Sequence, residues 1–230
     1  MQFKISKELL EQIEQLIHQK NDQELIALLN EMHHADIAEI FDELNIEEAT
    51  YIFRILDSEI TAEILTELED DVREKILHGL SAKEIAEELD ELDTDDAADI
   101  IAELSQSKKE EVISELEDVE HAKDIVDLLR YDEDTAGGLM GKELVKVNEN
   151  WNVLTCVKEM RLQAENVSRV HSIYVIDDEE RLKGRLSLKD LLTTSTKTPI
   201  SQVYIKKVNY EKVDAKDVEV ARIMQKYDLE

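Results

Sequence analysis

The sequence is poor in the residues that break a chain, cross-link it or carry it through a membrane. It has one proline, one cysteine and five glycines in 230 residues, and only 4% of its residues are aromatic. A single cysteine excludes an internal disulfide and a four-cysteine zinc site. No apolar run approaches the roughly 18 residues of a membrane span, and early acids interrupt any signal-peptide core. We therefore expect a soluble chain from a reducing compartment.

Basic residues are also scarce, and the imbalance is uneven. The chain has 27 Lys and Arg against 56 Asp and Glu, a formal charge of −29. This charge disfavours nucleic acid and acidic membrane partners, because phosphates would be repelled, and it attracts cations. Residues 1–130 hold 38 acids and 11 Lys/Arg, a difference of −27, whereas residues 131–230 hold 18 and 16, a difference of −2. The change predicts a domain boundary near residue 130.

The first half repeats with a step of 12 residues. One ladder of leucines has this step: Leu44, Leu56, Leu68, Leu80, Leu92, Leu104, Leu116 and Leu128. A second apolar ladder stands three residues earlier: Phe41, Phe53, Leu65, Leu77, Leu89, Ile101, Ile113 and Ile125. Spacings of three and four predict helices of about eight residues with short turns. Helices so short need neighbours, which favours an α-solenoid; a coiled coil would need a heptad.

The second half has the pattern of an α/β domain. The predicted elements are a strand at 144–147, a helix at 152–163, strands at 171–177 and 182–187, and a short helix at 188–192. After Pro199 the pattern restarts, with a strand at 208–214 and a helix through Met224. Cys156 lies on the apolar face of the first of these helices, so we expect a buried side chain rather than a reactive thiol.

Two motifs carry a family resemblance. The apolar hairpin followed by Gly184 to Asp190, GRLSLKD, resembles a cystathionine-β-synthase (CBS) repeat. Joined to an acidic helical repeat through YDEDTAGGLM, residues 131–140, it resembles the cytosolic region of MgtE-type magnesium transporters. The resemblance implies an α + α/β fold: an acidic all-α superhelix at 1–130, a glycine-containing junction at 131–141, a first CBS repeat at 142–199 and an incomplete second repeat at 200–230.

The segment LDTDDAADIIAEL, residues 92–104, gathers acids on one side of a predicted helix. Thr94 is the expected N-cap, and the helix dipole favours negative charge at Asp95 and Asp96 by roughly 0.3–1 kcal/mol. The dipole does not account for Asp99 and Glu103, because like charges four residues apart repel. A hydrated Mg²⁺ would relieve that repulsion, since Mg²⁺ accepts one or two carboxylates directly. A solvated acidic face is the alternative.

The resemblance implies a particular set of Mg²⁺ ligands. Asp95 and Asp99 match acids of the family's N-domain that bind Mg²⁺ at the interface with the CBS repeats, and Glu63 matches another acidic position. Gly138 matches a junction glycine whose carbonyl would serve as a ligand, and Asp228 matches a CBS acid. The alternative for Gly138 is a turn residue with positive φ, and for Asp228 a surface carboxylate.

Other polar residues are candidate nucleotide or metal ligands. Ser187 and Asp190 match the hydroxyl and carboxylate that hold a nucleotide in some CBS proteins; the alternative is a helix cap at Ser187 with Asp190 at the third helical position. His33 and His34 precede a predicted helix, so we expect them to cap it or face solvent. No nucleophile–base pair or phosphate loop stands out, so no enzymatic activity is expected.

The resemblance implies a Mg²⁺-sensing regulatory region at the cytoplasmic face of the membrane. Mg²⁺ bound between the acidic N-domain and the CBS domain would favour a closed pore. The implied partners are a second copy, through the CBS repeats, and the protein's own transmembrane domain. One alternative is a CBS module that senses ATP or another adenine nucleotide. Another is an acidic helical interaction scaffold, of the kind that resembles flagellar motor switch proteins.

Overall fold

The structure, a computed structural model, describes residues 5–164, 167, 170 and 172–229. The chain forms two compact units. The first comprises the residues up to Leu92 together with Asp96–Val126, and the second comprises Asp93–Asp95 together with Asp127 onward. The first unit is helical and the second is α/β, which confirms the predicted fold class. The finer domain boundaries given above stay predictions.

Ten helices occupy the described residues up to Leu128. They are α1 Lys7–Gln19, α2 Asp22–Leu29, α3 His34–Glu43, α4 Ile46–Ile55, α5 Ser58–Glu67, α6 Asp70–Gly79, α7 Ala82–Leu89, α8 Thr94–Glu103, α9 Gln106–Glu115 and α10 Val119–Leu128. From α3 to α9, each helix begins 12 residues after the previous one. The predicted repeat is confirmed, although most of its helices have ten residues rather than eight.

The two apolar ladders have different roles in the helical unit. Most members of the ladder that begins at Phe41 are fully buried on their helices, as at Leu65, Leu89 and Ile101. The leucine ladder instead ends helices: Leu56 and Leu68 are C-caps with extended backbones and are also buried. Most repeats therefore bury one residue inside the helix and another where the chain turns away.

Helices two apart along the chain pack together in this unit. α3 contacts α5, α5 contacts α7 and α7 contacts α9, while α4 contacts α6. Such packing lets short helices bury a continuous apolar ladder, as expected of a solenoid. Caps support them locally: the Asn45 side chain accepts from two backbone N–H groups of α4, and Ser81 and Glu84 form a capping box at α7.

The α/β unit is built around a three-stranded sheet. Its elements are β1 Val145–Asn148, α11 Val153–Gln163, β2 Ile173–Ile176, β3 Leu182–Leu186, α12 Leu188–Thr193, a short 3₁₀ helix Ile200–Gln202, and α13 Asp217–Tyr227. β1 pairs parallel with β2, and β2 pairs antiparallel with β3. Most predicted strands and helices are confirmed within two residues; His171, within the predicted strand 171–177, lies outside the described residues.

A small apolar core joins this sheet to its helices. The core residues are Val145, Val147, Val153, Cys156, Ile173, Val175, Leu186, Leu191 and Ile200. Burial raises the pKa of the Cys156 thiol to about 11, so the thiol stays protonated and behaves as a small hydrophobe. The interpretation of Cys156 as a buried residue is confirmed.

The predicted strand at 208–214 is wrong. The segment has no regular secondary structure, and Tyr210 within it is 74% exposed. Its end pairs with the glycine junction instead: the Gly137 N–H donates to the Val213 carbonyl (2.9 Å), and the Ala136 N–H donates to the Ala215 carbonyl (2.8 Å). Alternating apolar residues favour a strand only where a neighbouring strand offers a ladder. None pairs with this segment among the described residues.

The junction glycines serve close approach rather than an unusual backbone angle. No described glycine has a positive φ, so the interpretation of Gly138 as a positive-φ turn residue is wrong. A Cβ on Gly137 would lie 2.5 Å from the Tyr131 ring, and one on Gly138 would lie 2.6 Å from the Asp132 carbonyl oxygen. Only glycine lets the chain fold back this tightly on itself.

None of the helices in the described ranges has both the length and the apolar character that crossing a bilayer requires.

Candidate functional site

Helix α8 carries the two acids that the sequence singles out most strongly. Asp95 and Asp99 are one turn apart; Asp95 is half-buried and Asp99 is exposed. Ala97, Ile100 and Ile101 are buried, so the helix separates its acidic and apolar sides as predicted. Carboxylate oxygens are hard ligands that suit Mg²⁺, which keeps several of its waters.

The first turn of α8 is held by a residue far away in sequence. Thr94 is the first helical residue and only 2% exposed, and its backbone N–H donates to Glu143 Oε1 at 2.9 Å. The Thr94 hydroxyl donates to Glu143 Oε2 at 3.1 Å and accepts from the Lys142 N–H at 3.0 Å. The prediction that Thr94 is the N-cap is therefore wrong. Thr94 is already helical, and the Glu143 carboxylate accepts the hydrogen bond from its backbone N–H.

Gly141 lies where two carboxylates converge within the α/β unit. A Cβ at Gly141 would lie 3.0 Å from Glu143 Oε2 and 3.2 Å from Asp95 Oδ1. The neighbouring Lys142 anchors the same loop, with its Nζ 2.7 Å from Asp127 Oδ2. Asp95 therefore sits beside the loop that holds its own helix.

Glu103, the last acid of the predicted face, has a protein counter-ion. Arg73 on α6 reaches both carboxylate oxygens of Glu103 through Nε at 3.1 Å, and its Nη2 lies 2.6 Å from Oε1. Bidentate guanidinium–carboxylate pairs are strong and geometrically specific. The hypothesis that Glu103 needs a bound cation is not required, because Arg73 already neutralises it.

Glu63 lies on the exposed side of α5, near a histidine of α3. His34 Nε2 is 3.9 Å from Glu63 Oε2 and 3.7 Å from Glu67 Oε1. His33 caps α3, since its Nδ1 accepts the Ala35 N–H at 3.3 Å, so the predicted capping role is confirmed. Glu63 is thus accessible to a cation, with His34 nearby on α3.

Asp228 and Gly138 lie in different parts of the α/β unit. Asp228 is the C-cap of α13, with φ of 50°, and lines a cavity of about 620 Å³ that Arg185 and Lys207 also line. The Gly138 N–H donates to the Thr135 carbonyl at 3.0 Å within the junction turn. Across residues 5–164, 167, 170 and 172–229, no group of three or more His, Cys, Asp or Glu side chains could hold a metal ion. A largely hydrated Mg²⁺ does not need such a group, and the predicted ligand set stays a prediction.

Ser187 and Asp190 lie at the start of α12. Ser187 is the N-cap residue and Asp190 is the third helical residue, as the alternative predicts, but the Ser187 side chain makes no capping hydrogen bond. Neither residue lines the 620 Å³ cavity, whose polar lining includes Arg185, Lys207 and Tyr174. Nucleotide binding by this pair stays a prediction.

Glu143 and Lys142 were missed by reasoning from the sequence. Their contacts with Thr94 join residues 48 and 49 positions apart. No helical or strand period connects positions at that distance, and GKEL resembles an ordinary polar loop. The only signal in the sequence was the expectation that the start of α8 is capped at Thr94. That expectation identified the right end of the helix but not Glu143 as the hydrogen-bond acceptor.

Two family models match this chain. One, described as the MgtE intracellular N domain, matches residues 32–134, and the other, the CBS domain, matches residues 136–196. A magnesium transporter MgtE from Thermus thermophilus is 41% identical over 102 residues, which is 44% of this chain and 23% of that relative. The aligned region therefore spans about a quarter of the length of that curated relative.

Two solved structures are similar over nearly the whole chain. A crystal structure of the cytosolic domain of the Mg²⁺ channel MgtE in complex with ATP has a TM-score of 0.87 and 31% identity, covering 96% of this chain and 90% of that one. A crystal structure of the soluble part of a magnesium transporter has a TM-score of 0.80 and 25% identity, covering 97% and 88%. Both similarities extend across the helical and the α/β units.

Proposed function

The chain belongs to the MgtE family, and from that premise we propose that it is the Mg²⁺-sensing regulatory region of a magnesium transporter. Mg²⁺ bound by carboxylates of α8 and α5 would hold the helical unit to the CBS domain when magnesium is plentiful. In the whole transporter, that association would favour the closed pore. At low Mg²⁺ the units would separate and the pore would open.

The observation that carries the proposal is the concentration of negative charge in residues 1–130, where acids exceed Lys and Arg by 27. Bringing such a surface against another domain is repulsive unless cations intervene. Asp95 and Asp99, one turn apart on α8, supply carboxylate oxygens, the type of ligand that Mg²⁺ prefers. Mg²⁺ shifts the equilibrium only by its difference in affinity for the two states.

The test is a titration of shape and protease sensitivity against Mg²⁺ in the millimolar range. We expect small-angle scattering to show compaction and residues 131–141 to become protected from proteolysis. K⁺ at equal ionic strength controls for general screening of charge, which acts on exposed groups without specific binding. Identical responses to both salts, or no response to either, would count against the proposal.

A charge-matched pair of variants separates a specific effect from a loss of net charge. Asp95→Ala with Asp99→Ala should raise the Mg²⁺ midpoint. Glu39→Ala with Glu43→Ala removes two exposed acids at the same spacing from α3 and should leave the midpoint nearly unchanged. Equal shifts in both doubles would mean that net charge, and not a site on α8, sets the response.

We also propose that the region forms a homodimer through its α/β unit. Four leucines on α11 and α12 are exposed: Leu154, Leu162, Leu188 and Leu192. Leu192, at 69% exposure, is the most accessible of them. Exposed apolar patches mark protein–protein interaction sites. Sedimentation should show a dimer that Leu192→Glu weakens; a monomer at every concentration would contradict it.

A second candidate function is binding of an adenine nucleotide by the α/β unit. The 620 Å³ cavity is lined by Arg185 and Lys207, which suit phosphates, and by Tyr174, Tyr210 and Tyr227, which suit an adenine ring. The related cytosolic domain of an Mg²⁺ channel was crystallised with ATP. Calorimetry with ATP should show binding that Arg185→Ala weakens; Ser187→Ala and Asp190→Ala test the pair suggested by the CBS motif.

A further inference from the structure

The loop Gly141–Glu143 grips the first turn of helix α8 within the α/β unit. Glu143 accepts both the backbone N–H and the hydroxyl of Thr94, and Lys142 donates its own N–H to that hydroxyl. Thr94 is 2% exposed and Glu143 is half-buried, so these bonds are partly shielded from water. A buried hydrogen bond that loses one partner leaves the other unsatisfied, which makes such a grip costly to break.

The grip acts on the residue next in sequence, Asp95. Residues 93–95 group by their contacts with the α/β unit, whereas the rest of α8 groups with the helices. A Cβ added at Gly141 would lie 3.2 Å from Asp95 Oδ1. The loop that binds Thr94 therefore also packs beside the Asp95 carboxylate. Asp99 follows one turn later on the same rigid helix.

We propose that Glu143 is a positioning residue for Mg²⁺ sensing: through Thr94 it sets where the carboxylate of Asp95 stands. This inference rests on the proposed function, because it assigns a supporting residue to that same site. Glu143 acts by accepting hydrogen bonds from Thr94 and does not itself contact the ion. Lys142 assists by holding the Thr94 hydroxyl, and its ion pair with Asp127 ties down the loop.

The experiment measures the Mg²⁺ midpoint of protease protection in variants of both partners. Glu143→Ala should raise the midpoint about five-fold or more, the equivalent of one or two lost hydrogen bonds. Glu143→Gln keeps a carbonyl oxygen for the Thr94 N–H and should recover part of that loss. Thr94→Ser keeps the hydroxyl and should resemble the parent, whereas Thr94→Val loses the hydroxyl bonds and should also raise the midpoint.

Two further results decide between positioning and a simple contribution of charge. The double variant Thr94→Val with Glu143→Ala should lose less than the sum of the two single variants, because both single variants remove the bond between the Thr94 hydroxyl and Glu143. Glu149→Ala removes a carboxylate of the same unit that is bonded to the Tyr204 hydroxyl instead, and it should leave the midpoint unchanged. Glu143→Gln as damaging as Glu143→Ala, or additive effects in the double variant, would overturn the proposal.

Amide hydrogen exchange separates this inference from the proposed function. Without Mg²⁺, Glu143→Ala should speed exchange in the first turn of α8 about ten-fold, while α5 exchanges as in the parent. If the parent shows no Mg²⁺ response, the proposed function fails. Hydrogen exchange alone then tests whether Glu143 holds Thr94 and the first turn of α8. If the parent responds but Glu143→Ala changes neither midpoint nor exchange, the positioning role fails while the sensing proposal stands.

Discussion

The two units reach stability by different routes. In the helical unit, helices two repeats apart pack together, and the same ladder positions are buried in most repeats. In the α/β unit the core depends on β1 pairing with β2, residues 28 apart, around one small apolar cluster. A repeating ladder needs only a narrow apolar strip, so the remaining surface is free to carry a large excess of acid. The difference therefore links the architecture of the first unit to its charge.

The largest expected effect tests whether the two units unfold independently. Leu65 on α5 is fully buried, and Leu65→Ala should lower the stability of the helical unit by about 3 kcal/mol. Trp151, the only tryptophan, packs against the core of the α/β unit. In urea, the helical circular dichroism transition should move to lower denaturant while the Trp151 fluorescence transition stays in place.

The control for Leu65→Ala is Leu182→Ala, since Leu182 is 41% exposed on β3 and should cost far less in either transition. A common shift of both signals by Leu65→Ala would show that the units unfold as one. In that case the separation of a local and a non-local unit would describe their contacts but not their thermodynamics.

The second prediction concerns a buried acid that distinguishes the helical unit from the α/β unit. Glu88 on α7 is 9% exposed and accepts a hydrogen bond of 2.5 Å from the Thr61 hydroxyl on α5. The pKa of Glu88 is raised from 4.5 to about 7, chiefly by desolvation; the bond from Thr61 opposes the shift, and the nearby Glu87 and Glu91 add to it. Between pH 4.5 and about 7, Glu88 is therefore protonated in the folded protein but ionised in the unfolded protein.

Because the folded-state pKa is the higher one, the contribution of Glu88 to stability is complete below pH 4.5 and is lost as the pH rises through about 7. Glu88→Gln keeps the shape and a partner for Thr61 without the charge. The free energy of unfolding of the parent, relative to Glu88→Gln, should fall by about 2 kcal/mol between pH 5 and 8. Parallel curves across that range would show that Glu88 does not titrate there.

The third prediction sets the same substitution in both units and expects opposite signs. A Cβ on Gly184, in β3, would lie 2.2 Å from the Ile205 carbonyl oxygen, so Gly184→Ala should cost about 2 kcal/mol. A Cβ on Gly79, at the end of α6, would meet only the Thr50 side chain at 3.7 Å. Gly79→Ala should therefore stabilise by about 0.5 kcal/mol, because alanine restricts the unfolded chain. Thermal unfolding measures both, and equal signs would contradict the prediction.

The extent to which the sequence predicts the structure follows the same division. Every helix start from His34 to Gln106 is implied by the 12-residue step, since ladder positions and caps act within one repeat. The strand expected at 208–214 fails because its formation depends on a distant partner, and its end pairs with Gly137 instead. A hydrophobic period along the sequence does not show which distant segments pair with each other.

The candidate site also has features that the sequence predicts and features that only the fold shows. The acids of α8 could be identified from helical spacing, because Asp95 and Asp99 differ by one turn. What surrounds them could not: Arg73 neutralises Glu103 from 30 residues away, and Glu143 holds Thr94 from 49 residues away. Both partners are common charged residues in polar segments, so only the folded chain reveals them.

The smallest expected effect tests whether equivalent repeats are held equally at their starts. The Asn45 side chain accepts from the N–H groups of Glu47 and Glu48 at 3.0 and 3.1 Å, whereas Asp57, at the same position one repeat later, makes no side-chain capping bond. Asn45→Ala should cost about 1 kcal/mol. Asp57→Ala should cost only a few tenths, through the helix dipole. Urea unfolding of both variants measures the difference, and equal losses would mean that the repeats share their stability so fully that a local cap no longer matters.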